Sequence, residues 1–447
     1  FKLINSWGND WGHFNNGSIF MSYAAAINSE LRCFIFAPRD NYNPHAVAEF
    51  EIEGSRKKVN ISVKKDGEYR NFYPDIFQKS GDHPFPDNKI VMDITDLLPF
   101  NNDDINIEIK NNKGSSIKLK SFVIKYFKDY EIDFKNYKSY YSQQSMPLQI
   151  KPNSSETITI NNVSEGSDMF SFQTVESNLL QDISCNPTIK EMKSFIDNTY
   201  FKNQKVTNID YGTGLKKMNL TKMQKAVNNN IIKIINANNN IDINEPYQPK
   251  IDHSISKYFP PVGNQQNKNS CVAWSMSYYI QTFYEARDHN WDLSNLQFNE
   301  NEGLEGDATR VMSPDFVYHL VNGGIDQGSY PTDVLKVIRH IGTASWDKMP
   351  YDNDNYTNWP GKFAWREAVK YRSTDYEDRL YFLKVDTLEK IKTIKQLLAE
   401  GYLLTVSIDS SKYKNQNGNV KSVLTVENYK KPWTDHANTL VGDDDTL

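Results

Sequence analysis

Residues 260–274 read Pro-Pro-Val-Gly-Asn-Gln-Gln-Asn-Lys-Asn-Ser-Cys-Val-Ala-Trp, and the Cys opens an apolar helical run from Cys271 to Ala286. This stretch places a thiol at a helix N-terminus, with a Gln six residues upstream. Free N–H groups and the positive end of the helix dipole lower a thiol's pKa there and favour the reactive thiolate. A side-chain amide fixed nearby, here Gln265, can donate to the oxyanion that forms when a thiolate attacks a carbonyl. The alternative for an isolated thiol of this kind is a buried structural cysteine.

Two further segments bear on that choice. Trp-Thr-Asp-His-Ala-Asn-Thr-Leu-Val-Gly at 433–442 sets His436 at the head of a short apolar strand. Asn-Ser-Trp-Gly-Asn-Asp-Trp-Gly at 5–12 is followed by Gly17-Ser-Ile-Phe-Met. Together with the Cys segment they resemble the three signature regions of papain-like cysteine peptidases. The resemblance covers residues 1–23 and about 250–447. Met312-Ser313-Pro314, Asn322-Gly323-Gly324 and Pro350-Tyr351 fall in the family's order.

The resemblance implies roles residue by residue. Cys271 is the expected nucleophile and His436 its general base, with Asn5 holding the imidazole in its working tautomer. Gln265 and the backbone N–H of Cys271 are the expected oxyanion hole. Trp7 shields the His–Asn hydrogen bond, and Gly323 with Gly324 forms a bare wall for an extended peptide. An ordinary turn is the alternative for that glycine pair.

Three local departures stand out. Val272-Ala273-Trp274 replaces the Trp that usually follows the nucleophile directly. Lys268 stands where the family has a Cys, and Val321-Asn322 precedes the Gly pair without the usual Cys, so the family's disulfide near the cleft cannot form. The larger departure is order, since Asn5 precedes Cys271 and His436. A tandem-peptidase excerpt and a circular permutation both account for that order. In either case Phe1–Trp7 is expected to dock beside Ala437–Val441.

Composition fits a protein of several domains. The chain has 51 Lys and Arg against 56 Asp and Glu, a net charge of −5 that is too mild and mixed to indicate a nucleic-acid partner. Mean hydropathy of −0.67 and the lack of a long apolar run argue against a membrane span. No signal peptide is visible, and the reading favours an extracellular or cell-surface setting. Cysteines at 33, 185 and 271 give an odd count, as expected for a free reactive thiol. The eight His lack metal-ligand spacing, so no metal and no cofactor are expected. Asp352-Asn-Asp-Asn-Tyr lacks the Gly and closing Glu of a calcium loop and reads as a solvated turn.

Between the Asn and Cys segments the character changes. Leu31–Phe36, Ala48–Glu53, Lys58–Val63, Ile90–Ile94, Ile105–Lys110 and Ile117–Lys120 read as short strands, most alternating apolar and polar residues, with turns at Lys65-Asp-Gly and Asn111-Asn-Lys-Gly. Such a pattern predicts a β-sandwich over 31–130. Residues 131–250 read as an Asn-rich linker with helices at 188–199 and 219–236, and their position permits a propeptide reading. Further on, Asp386-Thr-Leu-Glu starts a helix with Leu388, Ile391, Ile394, Leu397 and Leu398 on one face; Gly401 ends it and the Tyr402–Ile408 strand follows.

The expected fold is an α+β papain-like two-lobed peptidase, a helical lobe facing a β-barrel-like lobe, with an attached all-β sandwich. Residues 1–30 contribute the Asn segment and 251–447 the Cys and His segments. The expected activity is cysteine-type hydrolysis of peptide or protein substrates through a thioester acyl-enzyme. Acyl transfer or deamidation uses the same Cys-His-Asn chemistry, and a non-catalytic surface-binding protein with a vestigial triad is the reading of another class.

Overall fold

The structure is a computed structural model that describes residues 1–65, 68–71, 82–98, 106–127, 130, 137–160, 211–216, 225–227, 232–235, 249–300, 302–373, 380–415, 418–430 and 432–446. A nine-stranded mixed sheet organises the chain around the strand His436–Asp444. That strand runs between Leu404–Ile408 and Lys2–Ile4, antiparallel to both, and Lys250–Asp252 pairs with its far end. Its side chains are buried from His436 to Asp443, because one face is covered by a helix and the neighbouring strands close both edges. The N-terminal segment is therefore an interior part of this sheet: Leu3 lies opposite Leu440 and Ile4 opposite Thr439.

The covering helix runs from Cys271 to Asp288, with Trp274–Gln281 wound as a π-helix between two α-helical ends. Its residues from Cys271 to Ala286 are all buried. An element apolar on every side belongs in the interior, and its few polar groups must then find partners. The Ser275 hydroxyl meets Thr405 Oγ1 at 2.8 Å and Thr439 Oγ1 at 2.9 Å, stitching the helix to two strands. On its other side Ser277 Oγ donates to Ser313 O at 2.9 Å. Ser313 also caps the helix Pro314–Val321 by accepting from Phe316 N, and Pro314 sits in its first turn, where no N–H is required.

The helix Leu388–Ala399 is capped by Thr387 and buries Ile391, Ile394, Leu397 and Leu398. Leu388, expected on the same face, is 64% exposed at the first position of the helix. Gly401 ends the helix at φ +82°, and the following strand is Leu404–Ile408.

The β-rich region forms two antiparallel sheets. One has five strands: Tyr137–Tyr141, Ile117–Phe127, Ala46–Glu53, Ile90–Asp93 and Leu148–Ile150. The other has four: Ser154–Thr159, Asn106–Asn111, Val59–Lys65 and Glu68–Asn71. Ile107 and Ile109 are buried while Lys110 is exposed, as period-two alternation requires.

Three strand placements differ from the sequence reading. The strand Leu31–Ile35 lies in the nine-stranded sheet between Leu380–Val385 and Leu404–Ile408. Four of its five residues are buried, the pattern of a strand covered on both faces rather than of a half-buried one. Residues 137–160, read as linker, supply three strands. Ile232–Ile234, inside the expected helix 219–236, pairs in parallel with Leu380–Val385. The helix expected at 188–199 lies outside the described residues.

The β-rich sheets are docked on the helical side by buried charge. Arg372 binds Asp93 at 2.6 Å and Asp96 at 2.8 Å, and the fully buried Glu49 meets Lys125 at 2.9 Å and Arg366 at 3.3 Å. Arg56 donates to Thr357 O at 2.6 Å. Among the described residues no helix is long and apolar enough to cross a membrane.

Candidate active site

Asn5, His436, Cys271 and Gln265 come together where the N-terminal strand, the His436–Asp444 strand and the start of the central helix meet. The imidazole of His436 donates from Nε2 to Asn5 Oδ1 at 2.7 Å. An amide oxygen can only accept, so this bond sets the tautomer and leaves Nδ1 with its lone pair. That Nδ1 is buried and has no hydrogen-bond partner. Asn5 is itself held through its backbone, which donates to Gly17 O at 2.9 Å and accepts from Tyr279 Oη at 2.9 Å.

The surroundings are dry. The Trp7 ring lies 4.7 Å from the imidazole and meets Trp11 and Tyr413 edge-on. Cys271 and His436 are both fully buried. Burial pushes the Cys271 thiol upward, and only partly do the backbone N–H groups of Ala437 and Val272 pull it back. Burial likewise lowers the His436 imidazole to about 3. Both directions favour a neutral thiol beside a neutral imidazole. The lowered thiol pKa expected from the helix terminus is overridden in this closed arrangement, since desolvation penalises the charged forms of both groups.

The Gln265 side chain is clamped at both ends. Ser6 Oγ donates to its Oε1 at 2.5 Å, while its Nε2 donates to Lys268 O at 2.7 Å and to Thr213 O at 3.3 Å. The Asn5 and Gln265 segments are zipped together by Gln265 N to Ser6 O at 2.8 Å and Gly8 N to Gly263 O at 3.0 Å. Cys271 N also donates to Thr213 O, at 3.4 Å. Two donors thus converge on one carbonyl oxygen beside the thiol. A Ser6→Ala variant should leave the buried Gln265 Oε1 without its donor and lower stability by roughly 1 kcal/mol; urea denaturation checks this.

Gly323 and Gly324 both sit at positive φ, +77° and +75°, with Gly324 N bound to Asn322 Oδ1 at 2.7 Å. Their geometry is that of a left-handed turn. The backbone that meets the Thr213 segment on this side belongs to Gly328 and Ser329. Sequence reasoning missed Thr213, Ser6 and the Gly328–Ser329 contact; the Gly-Thr-Gly triplet at 212–214 was the one local sign of backbone brought close to backbone.

Lys268 is fully buried, with Nζ 2.6 Å from Asp315, 3.1 Å from His319 Nε2 and 2.9 Å from Asp352 O. Burial lowers the ammonium and lifts the Asp315 carboxyl to about 6, while each partner's charge pulls the other back. This polar staple ties the loop before Cys271 to the helix Pro314–Val321, at the place where the resemblance expects a disulfide. Asp352, read as part of a solvated turn, gives its carbonyl to the staple. Among the described residues no group of three or more His, Cys, Asp or Glu is placed to hold a metal ion.

No family model matches the chain, and no curated protein matches it. Among solved structures it is similar to xylellain, a cysteine protease from Xylella fastidiosa, at 18% identity and a TM-score of 0.33, over 45% of this chain and 72% of that one.

Proposed function

We propose that the chain is a papain-like cysteine peptidase that hydrolyses peptide bonds through a thioester acyl-enzyme. The observation that carries this reading is the convergence of Cys271 N–H and Gln265 Nε2 on one carbonyl oxygen, beside a thiol and an imidazole oriented by Asn5. In the proposed reaction Cys271 Sγ attacks the substrate carbonyl carbon and its proton passes to His436 Nδ1. The carbonyl oxygen takes the negative charge and is held by the two donors. The C–N bond then breaks, the leaving amine takes the proton from His436, and the acyl group remains on sulfur. Water, deprotonated by His436, attacks the thioester and releases the acid and the thiol.

Asn5 keeps the imidazole in the tautomer that leaves Nδ1 basic, and Trp7 keeps water from that bond. Gly328 and Ser329, which meet the Thr213 segment, are the proposed wall for the substrate backbone in place of Gly323 and Gly324. The two β-rich sheets are proposed to pack as a sandwich, and their buried ion pairs to the helical side suit a brace better than a swinging spacer.

Trapping the acyl-enzyme tests the reading. A peptidyl ester added to the chain, or to a Gly214→Leu variant whose side chain would overlap Asn269 O and displace the Thr213 segment, and quenched in acid should leave an acyl adduct on the peptide containing Cys271. An adduct on neither protein, with both folded, would contradict it.

A further inference from the structure

The two donors of the site, Gln265 Nε2 and the Cys271 N–H, stand at opposite ends of the short loop 265–271. The loop carries strain, since Gln266 holds φ +51°, in the left-handed region that a residue with a Cβ adopts at a cost. Such a loop keeps two donors at one spacing only if its ends are tied. Resting on the peptidase reading, we propose that Tyr351 is that tie, a positioning residue whose hydroxyl bridges Gln265 and Ser270 and so sets the spacing of the oxyanion donors.

The bridge has one direction. Tyr351 Oη donates to Gln265 O at 2.8 Å and lies 2.7 Å from Ser270 Oγ. A carbonyl oxygen only accepts, so the phenol's one proton goes to Gln265 and the Ser270 hydroxyl is the donor in the second bond. One chain of hydrogen bonds thus runs from the residue before the nucleophile to the residue that carries the amide donor. Burial, reinforced by the Asp315 charge, pushes the phenol well above its usual range, so it keeps that proton.

Ser270 gives up a cap to take part. It stands at the N-cap of the Cys271 helix, where a serine hydroxyl ordinarily accepts from an N–H of the first turn, yet it makes no side-chain cap bond. Its hydroxyl is turned to Tyr351 instead, and the Val272 N–H stays directed at the Cys271 sulfur. A stabilising contact is exchanged here for placement.

Tyr351 is itself fixed. Its ring packs edge-on against Trp274 at 5.0 Å, and the Lys268 ammonium sits 4.7 Å from its centre. The chain on either side is fastened to the start of the helix Pro314–Val321. Ser313 Oγ donates to Met349 O at 2.6 Å, and Asp352 N donates to Asp315 Oδ2 at 2.8 Å. Losing the hydroxyl alone strands no buried group: Gln265 O still receives Lys268 N at 3.3 Å, and Ser270 is released to cap its helix. Tyr351→Phe therefore removes the tie and leaves the packing.

The test compares a reaction that makes an oxyanion with one that does not. Acylation of Cys271 by a p-nitrophenyl peptidyl ester passes through a tetrahedral oxyanion, forms the thioester and releases p-nitrophenol. Alkylation by iodoacetamide displaces iodide from a saturated carbon. In the Gly214→Leu background, Tyr351→Phe should slow acylation on the order of 10-fold while alkylation stays within about 2-fold. Ser270→Ala cuts the bridge at its other end and should give the same selective loss, which keeps the test in force if Tyr351→Phe does not fold. Cys33, buried in the central sheet, should stay unlabelled throughout and so report an intact fold. Equal slowing of both reactions would make Tyr351 a packing residue and overturn the proposal, as would an unchanged acylation rate. A Gly214→Leu protein that is alkylated readily but never acylated removes the peptidase reading, and the positioning role with it; selective loss of acylation is the result that upholds both.

Discussion

In a Gly214→Leu background, which opens the site, Cys271→Ala should abolish peptide hydrolysis, with a loss of at least about 10³-fold and the protein still folded. Removing the nucleophile of a unit that acts together typically costs several orders of magnitude. The side chain is fully buried, so deleting its sulfur leaves a void, but one small enough to cost on the order of 1 kcal/mol. Cleavage of a peptide library, followed by mass spectrometry of the products, gives the rate; thermal melting shows that the fold survives. Comparable cleavage by the Ala variant would remove Cys271 from the chemistry.

The second large effect is on stability. Lys268→Ala leaves the Asp315 carboxyl fully buried without its cation, and His319 without the ammonium beside its ring. Breaking a buried pair from one side typically costs about 3–5 kcal/mol. The loop carrying Gln265 loosens with it, since Lys268 O accepts from Gln265 Nε2. Replacing both partners with apolar residues, as in Lys268→Met with Asp315→Leu, should recover most of the loss, because no uncompensated charge remains. Urea denaturation of the three proteins decides this. A single-variant loss below about 1 kcal/mol would mean that the pair is not a staple.

How much of this was legible follows from the range of each signal. Gln265, Cys271, His436 and Asn5 each sit in a short stretch whose residue types are dictated locally, by a helix start, a strand head or a tight Trp-Gly turn. Their segments could be recognised before their meeting was known. The meeting itself, with Ile4 opposite Thr439 across more than 400 residues, has no local signal beyond the unfilled edge of the His strand. Leu31–Ile35 was assigned to the wrong sheet because apolar strands look alike until the cover on their faces is known. Lys268 looked only like a lost cysteine, since its partners Asp315 and His319 lie on a helix some 50 residues away.

The Thr213 segment was the least legible element. What places Thr213 beside Cys271 is backbone: two glycines without Cβ atoms and a series of N–H and C=O groups, which any sequence offers. The thiol's electrostatics were misread for the same reason. A helix N-terminus in water lowers a thiol's pKa, but a site closed by its own chain removes the water that would solvate the thiolate.

The most direct test of the account is the rate at which a peptidyl epoxide alkylates Cys271 in the Gly214→Leu background, compared with the same protein carrying His436→Ala or Asn5→Ala. The account predicts rapid, single-site addition at Cys271, on the order of 100-fold slower without His436 and markedly slower without Asn5. Addition to Cys271 no faster than to free cysteine, and unchanged by either substitution, would show that no base held by Asn5 activates this thiol.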